Sequence, residues 1–419
     1  MAETLEMNAK DISFMDPKVQ LCPFPAYQAV RRAGPVFIDP ATGWFVITDY
    51  ELVRTLTADT QNLSSFTGIL MCKQKSEIQE KIDRVYSEEG YTPIPLLVVA
   101  DPPEHKFHRS FVERAFTAAR VKKLEAYLEG VVDDMIDKFI GKPEVEFRAE
   151  FAGIIPQTVI ADLLGMERSD LPKLKFWTES VIANQDQSNS EERQLELAHN
   201  ICELHRYAVA KVEQYRQHPA ECLLSDFANT QVDGRHLTNQ EVAALCEQVM
   251  AGGNDSSANA IANALVRLIE QPELQNRLRD NPELISKFVE ESLRLDAPVQ
   301  GLFREPKHDM EIAGVKIPKG SVVVLKWGAA NRDPAQFPDP EAVDLQRPNA
   351  IRHMTFGNGA HVCVGNQLAR GEIRIALAKL LQRMRNIRYA RGADSVLRDP
   401  HFFAWGPRAV YIAFDPITP

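Results

Sequence analysis

The stretch FGNGAHVCVGNQLARGE, from Phe356 to Glu372, sets one cysteine among three glycines. Gly357, Gly359 and Gly365 let the backbone take positive φ and approach another group closely. Backbone N–H groups in such a loop can point at an anion, and a deprotonated Cys363 is an anion and a soft metal ligand. No partner stands at zinc spacing, so a tetrahedral zinc site does not follow. Two readings stay open on these residues: the single axial ligand of a haem iron, with the N–H donors tuning the sulfur and the iron potential, or a glycine-rich turn around a buried cysteine. A helix expected from about Gln367 to Met384 adds its positive end nearby.

A second concentration of chemistry lies in MAGGNDSSANA, Met250 to Ala260. Two adjacent glycines inside a helix cost roughly 2 kcal/mol relative to alanine. Close approach of a flat ligand at Gly252 would offset that. An acid and an alcohol follow, Asp255 and Ser256. Gln248 precedes Gly252 and Ser256 by four and eight residues, so it lies on their helical stripe. If that stripe faces a ligand, its amide can bond a hydroxyl or carbonyl. Two charged patterns stand elsewhere. Glu291 and Arg294 share a helix face at i and i+3, usually the sign of a surface ion pair. His105 and Arg109 share one at i and i+4.

These residues need elements to carry them. The longest expected helix runs from about Asn239 to Glu270, with Thr238 and Glu241 as a capping box and Pro272 as its stop. It would be roughly 45–50 Å long. Apolar spacing predicts further helices at Val121–Phe139, Ile154–Leu164, Leu171–Ala183 and Glu191–Tyr215. Asn281 and Pro282 are expected to cap a helix ending before Pro298. Strands are expected on either side of Asp39–Gly43, as a hairpin, and within MEIAGVKIPKGSVVVLKW. Asp49 reads as the N-cap of a short helix, residues 64–100 as irregular, and HFFAWGPRAVYIAF as a terminal hairpin. The fold class is therefore mainly α with a minor β part built from both ends of the chain.

With 419 residues, 44% of them hydrophobic, the chain can bury a large core. It has no linker-like, repeated or low-complexity tract, so one domain over residues 1–419 is expected. A net charge of −10 argues against wholesale nucleic-acid binding. No apolar run suits a signal peptide or a membrane span, so a soluble, cytoplasmic protein is expected. The six cysteines form no CxxC pair, and a disulfide framework is not expected.

The pattern F-G-x-G-x-H-x-C-x-G, followed by L-A-R and Glu, resembles the haem-ligand loop of the cytochrome P450 family. Phe356, Gly357, Gly359, His361, Cys363, Gly365, Leu368, Ala369, Arg370 and Glu372 all fit it. Three further motifs fall in the family's order, so the resemblance covers nearly the whole chain. It implies the P450 fold, with haem between a long distal helix and a proximal Cys loop. It implies haem b (iron protoporphyrin IX), with Cys363 as the iron's axial ligand and Gly252, Phe356, Gly357 and Gly365 against the cofactor. His105, Arg109, Arg304 and His361 resemble the partners of the haem propionates, a task suited to charge-assisted bonds. Glu291 and Arg294 look like the family's buried pair, completed by Arg347. Asp255 and Ser256 look like the acid–alcohol pair that assists dioxygen activation, with serine where threonine is usual. Serine keeps the hydroxyl but lacks the methyl that restricts its rotamer.

The activity implied is a monooxygenase that inserts one atom of O2 into an apolar small molecule of the terpenoid, steroid or aromatic class. The chain has no flavin fingerprint and no cysteine set for an iron–sulfur cluster. Electrons would come from an acidic ferredoxin with its reductase. Arg109, Arg114, Arg120, Lys122, Lys123, Arg352, Arg370 and Arg374 are the expected docking cations. Family position puts Gln248, Ala251, Val299, Leu302 and Phe403 in the substrate pocket, with Ile69, Leu70, Met71, Leu96, Leu97, Phe303 and Phe402. The polar loop Asn184–Glu192 lies where the family has a moving lid. A peroxide-driven enzyme of this fold and a non-catalytic haem sensor or carrier remain as alternatives. Neither calls for the acid–alcohol pair.

Overall fold

The computed structural model describes residues 8–66, 78–184 and 189–417. Among them the chain is mainly helical, with three small sheets. The helices of seven or more residues are α1 (Phe24–Ala33), α2 (Tyr50–Ala58), α3 (Gln79–Glu89), α4 (Glu104–Val112), α5 (Ala118–Phe139), α6 (Ile154–Leu164) and α7 (Leu171–Ala183). They continue as α8 (Glu191–Gln217), α9 (Leu223–Asn229), α10 (Asn239–Glu270), α11 (Pro272–Asp280), α12 (Ile285–Leu295) and α13 (Asn366–Arg383). The strands are β1 (Val36–Ile38), β2 (Phe45–Ile47), β3 (Leu63–Ser64), β4 (Val145–Glu146), β5 (Leu302–Pro306), β6 (Met310–Ile312), β7 (Val315–Ile317), β8 (Val323–Leu325), β9 (Met384–Tyr389), β10 (Val396–Leu397) and β11 (Ala409–Pro416).

The chain forms two compact units. The first comprises Met1–Ser64, Glu125–Ile154 and Ser256–Pro419; the second comprises Ser65–Leu124 and Ile155–Asp255. In the first unit a five-stranded sheet runs β1-β2-β8-β5-β3, joining strands from distant parts of the sequence. The β1–β2 hairpin closes where expected: Asp39 N–H donates to the Trp44 carbonyl and Gly43 N–H to that of Asp39, with Gly43 at φ +71°. Ile47, Val53, Ile317, Val323, Leu325 and Phe337 form the core beside this sheet. Asp49 caps α2, accepting from Leu52 N–H at 2.9 Å. In the second unit Thr238 and Glu241 make the capping box of α10. Thr238 N–H donates to Glu241 Oε2 at 2.8 Å, and Glu241 N–H to Thr238 Oγ1 at 3.2 Å.

Three expectations fail in whole or in part. Residues 64–100 contain a helix, α3, whose Ile82 and Tyr86 are buried at i and i+4 in a highly charged segment. Asn281 and Pro282 do open a 3-10 turn, Pro282–Leu284, that leads into α12, but Asn281 makes no side-chain cap bond: its amide folds back to the Arg277 carbonyl at 3.0 Å. The terminal hairpin does not close within residues 401–414: its second arm is β11, but its first is β10, ahead of the expected stretch. β11 pairs with β10, β9 and β4, while Ala404 makes only an isolated bridge to Val299. Pro407 has no N–H for a ladder, and Gly406 lies so close to Asn259 that a Cβ would meet its Cγ at 2.3 Å. No helix among the described residues is long and apolar enough to cross a membrane.

Candidate active site

The cysteine loop takes its shape from its glycines. Gly357 and Gly359 have φ of +70° and +69°, the left-handed region that glycine enters freely. Gly359 also lies against α2, where a Cβ would come within 2.8 Å of the Ala58 Cα. Gly365 differs from expectation: at φ −85° it is the ordinary residue ahead of α13. Cys363 N–H donates to the Phe356 carbonyl at 2.8 Å, which closes the loop, and the thiol is exposed. The helix begins three residues later, so its unsatisfied N–H groups bias this region towards negative charge.

The glycine pair of α10 divides into two roles. At Gly253 a Cβ would stand 2.5 Å from Ile160 Cδ1, so packing demands the glycine. At Gly252 a Cβ would meet nothing among the described residues within 4 Å: the helix faces open space there, in the middle of 32 helical residues. One turn earlier, Gln248 Oε1 is buried without a hydrogen-bond partner among the described residues. Ala251, Asp255 and Ser256, beside Gly252 on the same helix, are half-buried. An exposed thiol on a glycine loop and a bare helix face are each features that a flat, thiolate-ligated cofactor would use.

Glu291, Arg294 and Arg347 come together with almost no exposure. Arg294 grips Glu291 with two bonds, Nε to Oε1 at 2.7 Å and Nη2 to Oε2 at 3.0 Å. Arg347 Nε donates to Oε1 at 3.1 Å, and Asp344 N–H to Oε2 at 2.9 Å. Burial pushes the Glu291 pKa up, but these donors, Arg294 foremost, hold it below its ordinary value.

The residues aligned with propionate partners sit in different units. In the second, His105 is buried on α4, and burial together with Arg109 lowers its pKa. Arg109 pairs with Glu113 at 2.8 Å. In the first, Arg304 is buried on β5 and donates to the Phe303 and Thr57 carbonyls. His361 is half-buried in a 3-10 turn, Gly359–His361. Among pocket candidates, Val299 and Phe403 are neighbours: Gln300 N–H donates to the Phe403 carbonyl at 2.7 Å, and Leu302 opens β5 just beyond. Ile69, Leu70, Met71 and residues 185–188 of the polar loop lie outside the described residues.

Most expected docking cations are engaged within the chain. Arg109, Arg120, Lys123, Arg370 and Arg374 pair with Glu113, Asp226, Glu221, Glu290 and Glu125. Arg114, Lys122 and Arg352 make no ion pair among the described residues.

Two buried ionisable groups were not foreseen. Glu372 on α13 is 2% exposed, and burial pushes its pKa up to about 7 against a hydrogen bond with Ser257. Its place on the Leu368–Glu372–Ala376 stripe was a legible sign of burial. Lys326 donates to the Phe402 carbonyl at 3.2 Å, and burial draws its pKa down to about 7. Its position directly after the apolar run Val322–Leu325 carried no comparable signal.

The family model described as Cytochrome P450 matches residues 62–387, well over half of the chain. The chain belongs to the cytochrome P450 family. Cytochrome P450 107B1 of Saccharopolyspora erythraea is similar to this P450, 31% identical over 355 residues that cover 84% of each chain. Among solved structures, CYP109Q5 from Chondromyces apiculatus matches with a TM-score of 0.86 at 28% identity, covering 97% of this P450 and 99% of that chain. P450BioI, solved with an acyl carrier protein bearing hexadec-9Z-enoic acid, matches with a TM-score of 0.83 at 28% identity, covering 95% and 100%. P450 enzymes are haem monooxygenases that bind haem b through a cysteine thiolate, and this chain shares that cofactor and class.

Proposed function

We propose that this P450 inserts one atom of O2 into an apolar small molecule, using electrons from an acidic ferredoxin and its reductase. The observation that carries the reading is the open helix face at Gly252, flanked by Asp255 and Ser256. Bound haem supplies the reductive activation of dioxygen. Cys363 holds it through the sulfur, with Phe356, Gly357 and Gly365 lining the loop. His105, Arg109, Arg304 and His361 meet its carboxylates. Asp255 takes a proton from solvent, and the Ser256 hydroxyl passes one towards the open face. Ala251, Val299, Leu302 and Phe403 exclude water and shape an apolar cavity. Arg114, Lys122 and Arg352 offer charge to the ferredoxin. The reading takes residues 1–419 as a single domain. The reading places the enzyme in the cytoplasm, within reach of soluble electron donors.

Gln248 orients the substrate. Its buried, unpartnered Oε1 calls for a donor, such as a hydroxyl on an otherwise apolar ligand. The test is a visible-absorption titration of the ferric protein against terpenoids, steroids and substituted aromatics. One hydroxyl-bearing class is expected to shift the iron from low to high spin. In Gln248→Leu its affinity should fall by about 10- to 50-fold, the effect of one lost buried hydrogen bond. An unchanged affinity would sink the role of Gln248. A spin shift from no apolar compound would overturn the substrate reading and turn attention to acyl chains carried on a protein, as in the P450BioI complex.

A further inference from the structure

A charged cluster outside the Glu291 triad joins α12, α13 and the start of the cysteine loop. Glu290 is its centre. Arg370 on α13 grips it with Nε to Oε1 at 2.6 Å and Nη2 to Oε2 at 3.1 Å. His353 Nε2 lies 3.2 Å from Oε2. Thr355 N–H donates to His353 Nδ1 at 3.3 Å, which assigns the proton of the neutral ring to Nε2, facing Glu290. Burial lowers the His353 pKa and so favours that neutral form. Burial pushes the Glu290 pKa up, yet the bonds from His353 and Arg370 hold it at about 2. Glu290 is thus an anion at any ordinary pH.

The cluster acts on one ring. The Arg370 guanidinium lies over Phe356, with Cζ 4.5 Å from the centroid. The His353 ring meets the same phenyl at 5.7 Å and 44°. Phe356 is the residue whose carbonyl accepts the Cys363 N–H. Backbone anchors hold the chain just before it: Met354 N–H donates to Asn331 Oδ1 at 2.6 Å, and Thr355 Oγ1 to the Leu293 carbonyl at 2.7 Å. The Phe356 ring packs against Arg370 and His353, and both meet Glu290; Arg370 Nη1 also donates to Asn366 Oδ1 at 3.0 Å. Neighbouring carboxylates on α12 therefore serve different segments: Glu291 holds Arg347, and Glu290 holds the ligand loop.

We infer that Glu290, with His353 and Arg370, is a positioning clamp that fixes Phe356 and through it sets where the Cys363 sulfur meets the haem iron. The inference rests on the family's haem–thiolate bond. Without the clamp the loop would fold but its sulfur would be held loosely, and the thiolate bond would be lost more readily.

The experiment follows the thiolate-type absorption band of the ferrous carbon monoxide complex over time in the haem-loaded protein. Glu290→Gln keeps the shape and removes the charge. Its band is expected to convert to the shorter-wavelength form about tenfold faster than in the unaltered protein, as loss of a charge-assisted bond predicts. Arg370→Lys keeps the charge but loses the fork and the stacked guanidinium, and should show the same direction. Val145→Ala, at a fully buried position of β4, serves as the control for lowered stability alone. It should leave the conversion rate unchanged. A band in Glu290→Gln as persistent as in the unaltered protein would overturn the clamp, as would equal acceleration in Val145→Ala. If Glu290→Gln takes up no haem, Arg370→Lys decides by the same criterion. A thiolate-type band missing already from the unaltered protein would instead refute the haem–thiolate bond itself.

Discussion

Replacing Cys363 by alanine should abolish the thiolate-type band of the ferrous carbon monoxide complex completely. The argument is chemical. A haem held by a cysteine thiolate would give that band, and Cys363 is the cysteine on the loop shaped by Gly357 and Gly359. Cys202, Cys222 and Cys246 are buried, and burial raises the pKa of each thiol, so none is placed to replace it. The substitution removes one small exposed side chain, so apoprotein stability should change by no more than about 0.5 kcal/mol. Loss of the band with an intact thermal transition is the expected pair of results. A surviving band would mean that the ligand lies elsewhere.

Arg294→Met should cost about 3–5 kcal/mol, the range for breaking a buried ion pair from one side. Arg294 is fully buried and makes five hydrogen bonds: two to Glu291, and one each to the Asn331, Pro340 and Ala342 carbonyls. Methionine fills much of the volume but leaves the Asn331 and Pro340 carbonyls without their donor, the Ala342 carbonyl with only the 3.4 Å bond from Arg347 Nη2, and Glu291 with Arg347 as its remaining cation. A domain with a stability of about 5–15 kcal/mol would lose a large share of it. The measurement is the urea midpoint of the haem-loaded protein, supported by the yield of soluble protein. A shift worth less than about 1 kcal/mol would show that Arg347 and the segment around it hold Glu291 without help.

The long helix and the ligand loop were legible because their signals are local. Thr238 and Glu241 announce the start of α10 by side-chain chemistry three residues apart, and Pro272 marks its stop. The positive-φ glycines of the cysteine loop sit where the backbone demands them. Helix α3 was missed because its buried stripe is short and most of its residues are charged. The terminal hairpin was misread because apolar alternation in 402–414 does not show which strand pairs with which; β11 takes β9, β10 and β4 as partners, from as far back as Val145. Gly253 shows a limit of another kind. Its reason is the Ile160 side chain, more than ninety positions away, while Gly252 alone has the open face that both glycines suggested. The docking cations mislead in the same way. Arg370 looks like free charge in sequence, and in the structure it holds Glu290. The clamp of Glu290, His353 and Arg370 draws on three separate segments, so no spacing rule could have disclosed it.

The central claim is that this P450 transfers an atom of dioxygen at electron expense. The most direct measurement is turnover under oxygen-18 gas, with ferredoxin, its reductase and the compound that gives the spin shift. The account predicts one labelled oxygen atom per product molecule and no product without the electron donor. Unlabelled product, or full activity on peroxide alone, would contradict it.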